Sequence, residues 1–385
     1  MKVHRVETAA QARALVPAGD SVAADVAEII AAVRAGGNAK LAEYVARFDK
    51  PAGAAAATLP SLDVAIANVR AVAEAQLGAD VDVPLPQGHT VTVRELPVRR
   101  AAIYVPGGRN PYPSTVVMGV VTAKAAGVEE VVVCAPGGHP VIRAAAAACG
   151  ADEVHDMGGA HAIAALAYGT ETIARVDVIA GPGNLWVQEA KRQVSGDVGI
   201  DGFLGPSDVL ILASERPDLV AADLLAQAEH GEGTIVVAAS PDAALLDDVE
   251  RRLAAAPETG AVAALAQTTE LLGFADAFAP EHLELIGPEM ESLASDVRSA
   301  GCVFVGPAGA TAFGDYVAGS NHSLPTGGTA RFASALSPRV FRRKMSVVRI
   351  GDAAGALAQA GAPIARAEGF EQHARSMELR ENPDQ

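Results

Sequence analysis

Aromatic side chains are scarce in this sequence, at 4% of 385 residues with a single tryptophan. The apolar half of the composition is largely Ala and Val, which suits helices packed on parallel strands. Basic charge is also short. Thirty Lys and Arg face 46 Asp and Glu, for a net charge of −16, which argues against nucleic acid or an anionic membrane surface as partner. No apolar run approaches the roughly 20 residues needed to span a bilayer. Met1-Lys2-Val3-His4-Arg5 leads into polar sequence without the character of a signal peptide, so a cytoplasmic protein is expected. The three cysteines, Cys134, Cys149 and Cys302, form no C-x-x-C pair. Their odd number suggests reduced thiols, and Cys134 and Cys302 sit in apolar, strand-like runs as inert core groups.

The length exceeds the usual size of one core, so two or more domains are expected. Residues 1–80 read as helical. Val22, Val26, Ile29, Ile30 and Val33 repeat at helical spacing, with Asp20 or Ser21 as cap and Gly36-Gly37 as stop. Asn38 can cap a second helix, and a third runs from about Ser61 to Leu77. After the break Pro84 to Gly88, Val91, Val93 and Leu96 alternate with polar residues as a half-exposed strand does.

From Ala101 the pattern becomes strand, Gly-rich turn, helix, and it repeats. Ile103-Tyr104-Val105 meets Pro106-Gly107-Gly108, Val131 to Cys134 meets Pro136-Gly137-Gly138, and Val176 to Ala180 meets Gly181-Pro182-Gly183-Asn184. This is the signature of a doubly wound parallel sheet, although no G-x-G-x-x-G fingerprint follows the first strand. A second round begins at Val209 to Leu212 and continues through the strands Thr234 to Ala239 and Cys302 to Val305. The expected fold is α/β, with two Rossmann-like doubly wound domains from a probable duplication, a small linking segment and a helical C-terminal tail. Ser337-Pro338 opens that tail and Gly361 to Pro363 breaks it. The expected parts are 1–80 with 207–333, 81–101, 102–206 and 334–385.

One stretch organises the chemistry. Leu224 to Gly231 reads as a helix end, opened by Pro217 and stopped by Gly231. Gln227 and His230 lie three apart on one face, and their amide oxygen and imidazole nitrogen can coordinate a borderline metal such as Zn²⁺. Alone, the pair reads equally as a capped, solvated helix end. Pro280-Glu281-His282-Leu283 sets a carboxylate beside an imidazole after an apolar, strand-like run. Asp315 to His322 follows the strand Cys302 to Val305. Strand-end loops are where α/β enzymes place catalytic groups. Taken singly, Asp315 fits turn chemistry and His373 a solvated helix.

Together these stretches resemble histidinol dehydrogenase, in the same order. The similarity is carried by Leu225 to Gly231, Pro280 to Leu283, Gly314 to Phe332 and Ala365 to Ala374. It extends to Tyr104 to Thr115, Ala180 to Asn184, Glu189 to Val194 and Gly205 to Asp208. It spans about Ala31 to Asn382. The resemblance implies one Zn²⁺ per active site held by Gln227, His230, Asp315 and His373, which also meet the substrate. It implies Glu281 and His282 as the acid–base pair, with His282 also touching substrate. Ser114, Ser207, His322 and Glu368 would hold substrate, and Tyr104, His161 and Asn184 would contact NAD in the 102–206 domain. It further implies a homodimer in which the 334–385 tail crosses to the neighbour, so that Glu368 and His373 complete the partner's site.

The implied reaction oxidises L-histidinol to L-histidine through bound histidinaldehyde with two NAD⁺, the last steps of histidine biosynthesis. A relative oxidising another polar alcohol, such as a sulfonated diol, is the alternative, and a non-catalytic metal-binding scaffold would not retain an intact Glu281-His282 pair. A cysteine thiohemiacetal is the other route for an aldehyde oxidation, but no cysteine lies in a Gly-rich loop among these motifs. The sequence departs from the family pattern at His161, where Gln is usual, and at Asp208, where Glu is commoner. The region before Tyr104 is also shorter than usual.

Overall fold

The computed structural model describes residues 1–16, 21–50, 61–107, 110–202 and 205–381. Asp20, Gly108 and Asn382, which enter the expectations above, lie outside the described residues. The chain divides into two compact units, Met1–Gln76 with Val98–Phe341, and Leu77–Pro97 with Arg342–Gln385.

The first unit contains two parallel sheets. One has six strands in the spatial order Val3–Val6, Val262–Gln267, Ile235–Ser240, Asp208–Ala213, His282–Ile286, Cys302–Val305. The other has five, in the order Glu153–His155, Glu130–Cys134, Arg100–Tyr104, Val178–Ala180, Gly199–Ile200. Leaving aside Val3–Val6, both sheets place their strands in the doubly wound order third, second, first, fourth, fifth. This shared order supports the expected duplication. Asp208–Ala213 and Ile235–Ser240 are buried along their whole length, as strands covered on both faces must be, and their continuous apolar runs follow from that.

The N-terminus differs from expectation. Val3–Val6 is a strand, because it finds a parallel partner in Val262–Gln267, more than 250 residues away. Two helices follow at Ala23–Phe48, with a non-helical break at Gly37, and at Asp63–Glu74. They were expected with the 207–333 half. Their apolar sides pack instead on the five-stranded sheet. Val26, Ile29, Ile30 and Val33 join a core with Ala102 and Val132, and Val69 joins one with Ile103 and Val117. The apolar run before Pro280 is also not a strand. It is the helix Leu271–Phe278, whose Leu271, Phe274, Ala275 and Phe278 are buried at helical spacing. Glu281 and His282 therefore open a strand rather than follow one.

The second unit is small. An antiparallel three-stranded sheet runs Arg342–Arg349, Thr90–Pro97, Val81–Pro84. The helices Ala354–Ala367 and Glu371–Glu378 pack through Ala362, Ala365, Ala374 and Met377. The helix expected from Ser337 is a 3-10 turn, Pro338–Phe341, that leads into the strand Arg342–Arg349, because that segment has the Thr90–Pro97 strand to pair with. Pro363 does not break its helix. It sits exposed inside the helix. Among the described residues no helix is long and apolar enough to cross a membrane.

Candidate active site

The residues singled out around positions 207, 227 and 281 converge at the amino-terminal edge of the six-stranded sheet. Asp208 is opposite Ile235, and His282 is opposite both Val209 and Cys302, so the first residues of these parallel strands are level. The helix Pro217–Ala228 descends from the carboxyl ends of the strands and delivers Gln227 and His230 to the same edge. Doubly wound sheets usually bind ligands beyond the carboxyl ends of their strands, the rule behind the sequence expectation. Here it fails for the expected acid–base pair, because His282 begins a strand and Glu281 immediately precedes it.

Glu281 is buried, at 6% exposure, in a web of hydrogen bonds. Its Oε2 accepts from the Ser207 hydroxyl and from the Asp208 N–H at 3.0 Å, and its own N–H donates to Asp208 Oδ1 at 2.7 Å. The Gln227 amide donates in turn to Ser207 Oγ. Burial pushes the Glu281 carboxyl well above the usual range and the Asp208 carboxylate adds to this, while the Ser207 and Asp208 donors oppose it. His282 is buried at 2% exposure, with Nε2 3.7 Å from Glu281 Oε1 and 3.8 Å from Asp315 Oδ1. Burial, with the neighbouring His230 and His322, lowers its imidazole to about 3, so the ring is neutral near pH 7.

Gln227 and His230 do not leave one helical face as expected. The helix ends at Ala228, and His230 stands in the turn that closes at Gly231. Its Nδ1 is 2.9 Å from the Gln227 carbonyl. A carbonyl can only accept, so Nδ1 carries the proton and Nε2 keeps the lone pair a metal needs. With its NH₂ on Ser207, Gln227 has its amide oxygen to offer. Asp315 stands in the last turn of the helix Thr311–Tyr316. Burial raises its carboxyl to about 6, against the pull of His230. An amide oxygen, an imidazole nitrogen and a carboxylate form a donor set that suits zinc. Among the described residues no three His, Cys, Asp or Glu side chains are grouped to hold a metal by themselves. The fourth expected ligand, His373, and Glu368, expected at the substrate, belong to the second unit, where both are exposed.

The loop carrying His322 is well anchored. Asn321 donates to the Met118 carbonyl at 3.1 Å and to Thr122 Oγ1 at 3.2 Å, on the helical run that begins with Pro113 and Ser114. Burial lowers the His322 imidazole to about 4. Beneath the site lies a carboxyl pair the sequence reading missed. Glu284, 1% exposed, accepts from the Thr311 N–H at 2.7 Å. Burial and then Asp223 raise it to about 8. No motif marks this pair, since Asp223 and Glu284 are 61 residues apart in the chain.

The residues expected at NAD sit at the carboxyl end of the five-stranded sheet, and two of them spend their polar atoms internally. Tyr104, 4% exposed, accepts from the Gly159 N–H at 3.0 Å. His161 Nε2 is 3.3 Å from Asp49 Oδ2, which also accepts from the Gly158 N–H, and the ring stacks near Tyr44 and Phe48. Asn184 is exposed and caps the helix Leu185–Val194 through the Val187 N–H. All three thiols are pushed upward by burial, Cys149 to about 12, which fits inert groups. A cavity of about 330 Å³ lined in part by Thr122, Cys302, Ser320 and Asn321 contains none of the expected ligands.

The model of the histidinol dehydrogenase family matches residues 16–381. A histidinol dehydrogenase of Halobacterium salinarum is 42% identical over 397 residues, covering 94% of this chain and 93% of that protein. One from Thermus thermophilus is 48% identical over 301 residues, 74% of this chain and 73% of that protein. The crystal structure of histidinol dehydrogenase from Elizabethkingia anophelis superposes with a TM-score of 0.88 at 28% identity, covering 99% of this chain and 98% of that one. With matches of this extent, the chain belongs to the histidinol dehydrogenase family, whose members are NAD-dependent dehydrogenases.

Proposed function

We propose that this protein oxidises L-histidinol to L-histidine with two NAD⁺, using one zinc ion per active site. The observation that carries the reading is the convergence of Ser207, Gln227, Glu281, His282 and Asp315 on one sheet edge of a chain of this family.

Gln227, His230 and Asp315 would hold the metal, with His373 as the fourth ligand. Bound zinc supplies a Lewis-acidic anchor that grips and orients the substrate. Ser114, Ser207, His322 and Glu368 hold the substrate's polar ends. His282 is neutral, as a base must be at the start, and takes the alcohol proton as hydride passes to NAD⁺. The carboxylates of Glu281 and Asp315, each within 4 Å, then steady the imidazolium. Glu281 removes a proton from the water that hydrates the aldehyde. A carboxylate raised by burial binds that proton more tightly than a free one, and the Ser207 and Asp208 donors favour its ionised starting form. The hydrate would then lose its hydroxyl proton to His282, which has by then released the first proton to solvent, as its hydride goes to the second NAD⁺. The cofactor would be held at the carboxyl edge of the five-stranded sheet, by Tyr104, His161 and Asn184. There Tyr104 and His161 shape the wall and Asn184 is open to contact.

The deciding measurement is NADH formed per L-histidinol consumed, before and after chelation. Two NADH, lost on chelation and restored by Zn²⁺, is the expected result. One NADH would mean that the aldehyde escapes and that Glu281 has another role.

The protein is also proposed to act as a homodimer, with Glu368 and His373 serving the neighbouring subunit. Their unit has only a small core, and it leaves Ile364, Phe370 and Leu379 more than half exposed. Chains carrying His282→Asn and chains carrying His373→Asn, each inactive alone, should regain activity when co-assembled. Absence of recovery in verified mixed dimers would contradict a shared site.

A further inference from the structure

Arg13 lies on the helix Ala9–Ala14, outside the residues matched by the family model. Its guanidinium reaches two things at once. Nη1 donates to Asp208 Oδ2 at 2.7 Å. Nε and Nη2 donate to the Phe278 carbonyl at 3.2 and 2.6 Å, and Nη2 also donates to the Ala279 carbonyl at 3.2 Å. The group stacks 3.6 Å above the Phe278 ring. Ala279 has φ of 48° and ψ of 66°, a left-handed backbone that alanine rarely adopts and that neighbours must hold in place. Two residues later comes Glu281. Its N–H is held by Asp208 Oδ1, and its carboxylate accepts from the Asp208 N–H. Asp208 is 1% exposed, so its charge needs a partner, and Arg13 supplies it together with the Gly327 N–H at 3.1 Å.

We infer that Arg13 is a positioning residue for Glu281, acting through Asp208 on one side and through the Phe278–Ala279 turn on the other. This rests on the role proposed above for Glu281. Nothing in the motif around Glu281 points to Arg13. The link is a side chain 195 residues from Asp208 in sequence and 265 from Phe278. Arg fits this position where Lys would not, because one planar fork serves a carboxylate and two carbonyls together. A reacting group displaced by about an ångström can lose on the order of 10²-fold in rate.

The test is steady-state kinetics of the full-length zinc-loaded protein with Arg13→Ala, Arg13→Lys and Glu281→Gln. Arg13→Ala should lower kcat by roughly 10- to 100-fold, with KM for histidinol and NAD⁺ changed by less than about threefold. NADH per histidinol should fall towards one. Arg13→Lys should be intermediate, since it keeps the charge beside Asp208 but loses the carbonyl bonds. Guanidinium ion added to Arg13→Ala should restore part of kcat, which a loss of stability alone would not allow. Wild-type kcat in Arg13→Ala beside an inactive Glu281→Gln would overturn this inference and leave the function standing. Full activity in Glu281→Gln would instead remove the role on which the inference rests. Should Arg13→Ala fail to fold, Arg13→Lys decides, and wild-type kcat and NADH yield in that variant would overturn the proposal.

Discussion

Replacing Glu281 by Gln is expected to lower kcat for the complete oxidation by about 10³-fold, within the range a positioned general base contributes. The amide matches the carboxylate in shape and can still accept from Ser207 and from the Asp208 N–H, so the web around it survives. What disappears is the proposed base for hydration of the aldehyde. Zinc content should be unchanged, and the melting temperature should hold or rise. A buried carboxyl that burial and Asp208 already disfavour as an anion is being replaced by a neutral group. Loss of activity with stability intact separates a catalytic role from a structural one. Activity within threefold of wild type would refute the assignment.

The second large effect lies in the other sheet and acts on stability. Lys191 is fully buried, and its ammonium donates to the Gly181 carbonyl at 3.0 Å and pairs with Asp201, whose side chain is also buried. Asp201 accepts from the Gly181 N–H at 2.7 Å. The two side chains thus satisfy both polar groups of one glycine, at the turn where the strand Val178–Ala180 leaves its neighbour Arg100–Tyr104. Gly181 needs that support. Its φ is +121°, and a Cβ there would come within 2.0 Å of the Tyr104 carbonyl oxygen. Lys191→Met would leave Asp201 buried without its cation, at a cost of about 3–5 kcal/mol. The melting temperature should fall by roughly 4–6 °C. Lys191→Met combined with Asp201→Asn should recover part of the loss, because the double variant buries no lone charge. Thermal unfolding of the three variants checks this, and a fall under 2 °C in Lys191→Met would refute it. The turn lies at the proposed cofactor edge, so KM for NAD⁺ should rise in the single variant before kcat changes.

Much of the fold was legible along the chain. Repeated strand, glycine turn and helix give two doubly wound sheets, and Pro217 and Gly231 bracket a helix seen at Pro217–Ala228. The short apolar run before Pro280 was not legible, because eight residues, six of them Leu, Phe or Ala, suit a buried strand as well as a helix. That ambiguity hid the location of Glu281 and His282 at the start of a strand, and so hid which sheet edge they share with Gln227.

Residue types and spacings by themselves determined the two α/β halves, and the motifs determined the family. The tertiary structure decided the rest. It made Val3–Val6 a strand, sent the helices Ala23–Phe48 and Asp63–Glu74 to the five-stranded sheet, paired Glu284 with Asp223, and brought Arg13 to Asp208. The physical reason is common to all four. Helix propensity and turn chemistry act between neighbours in sequence, whereas strand pairing, face burial and the coupling of buried ionisable side chains act between groups that meet only after the chain has folded.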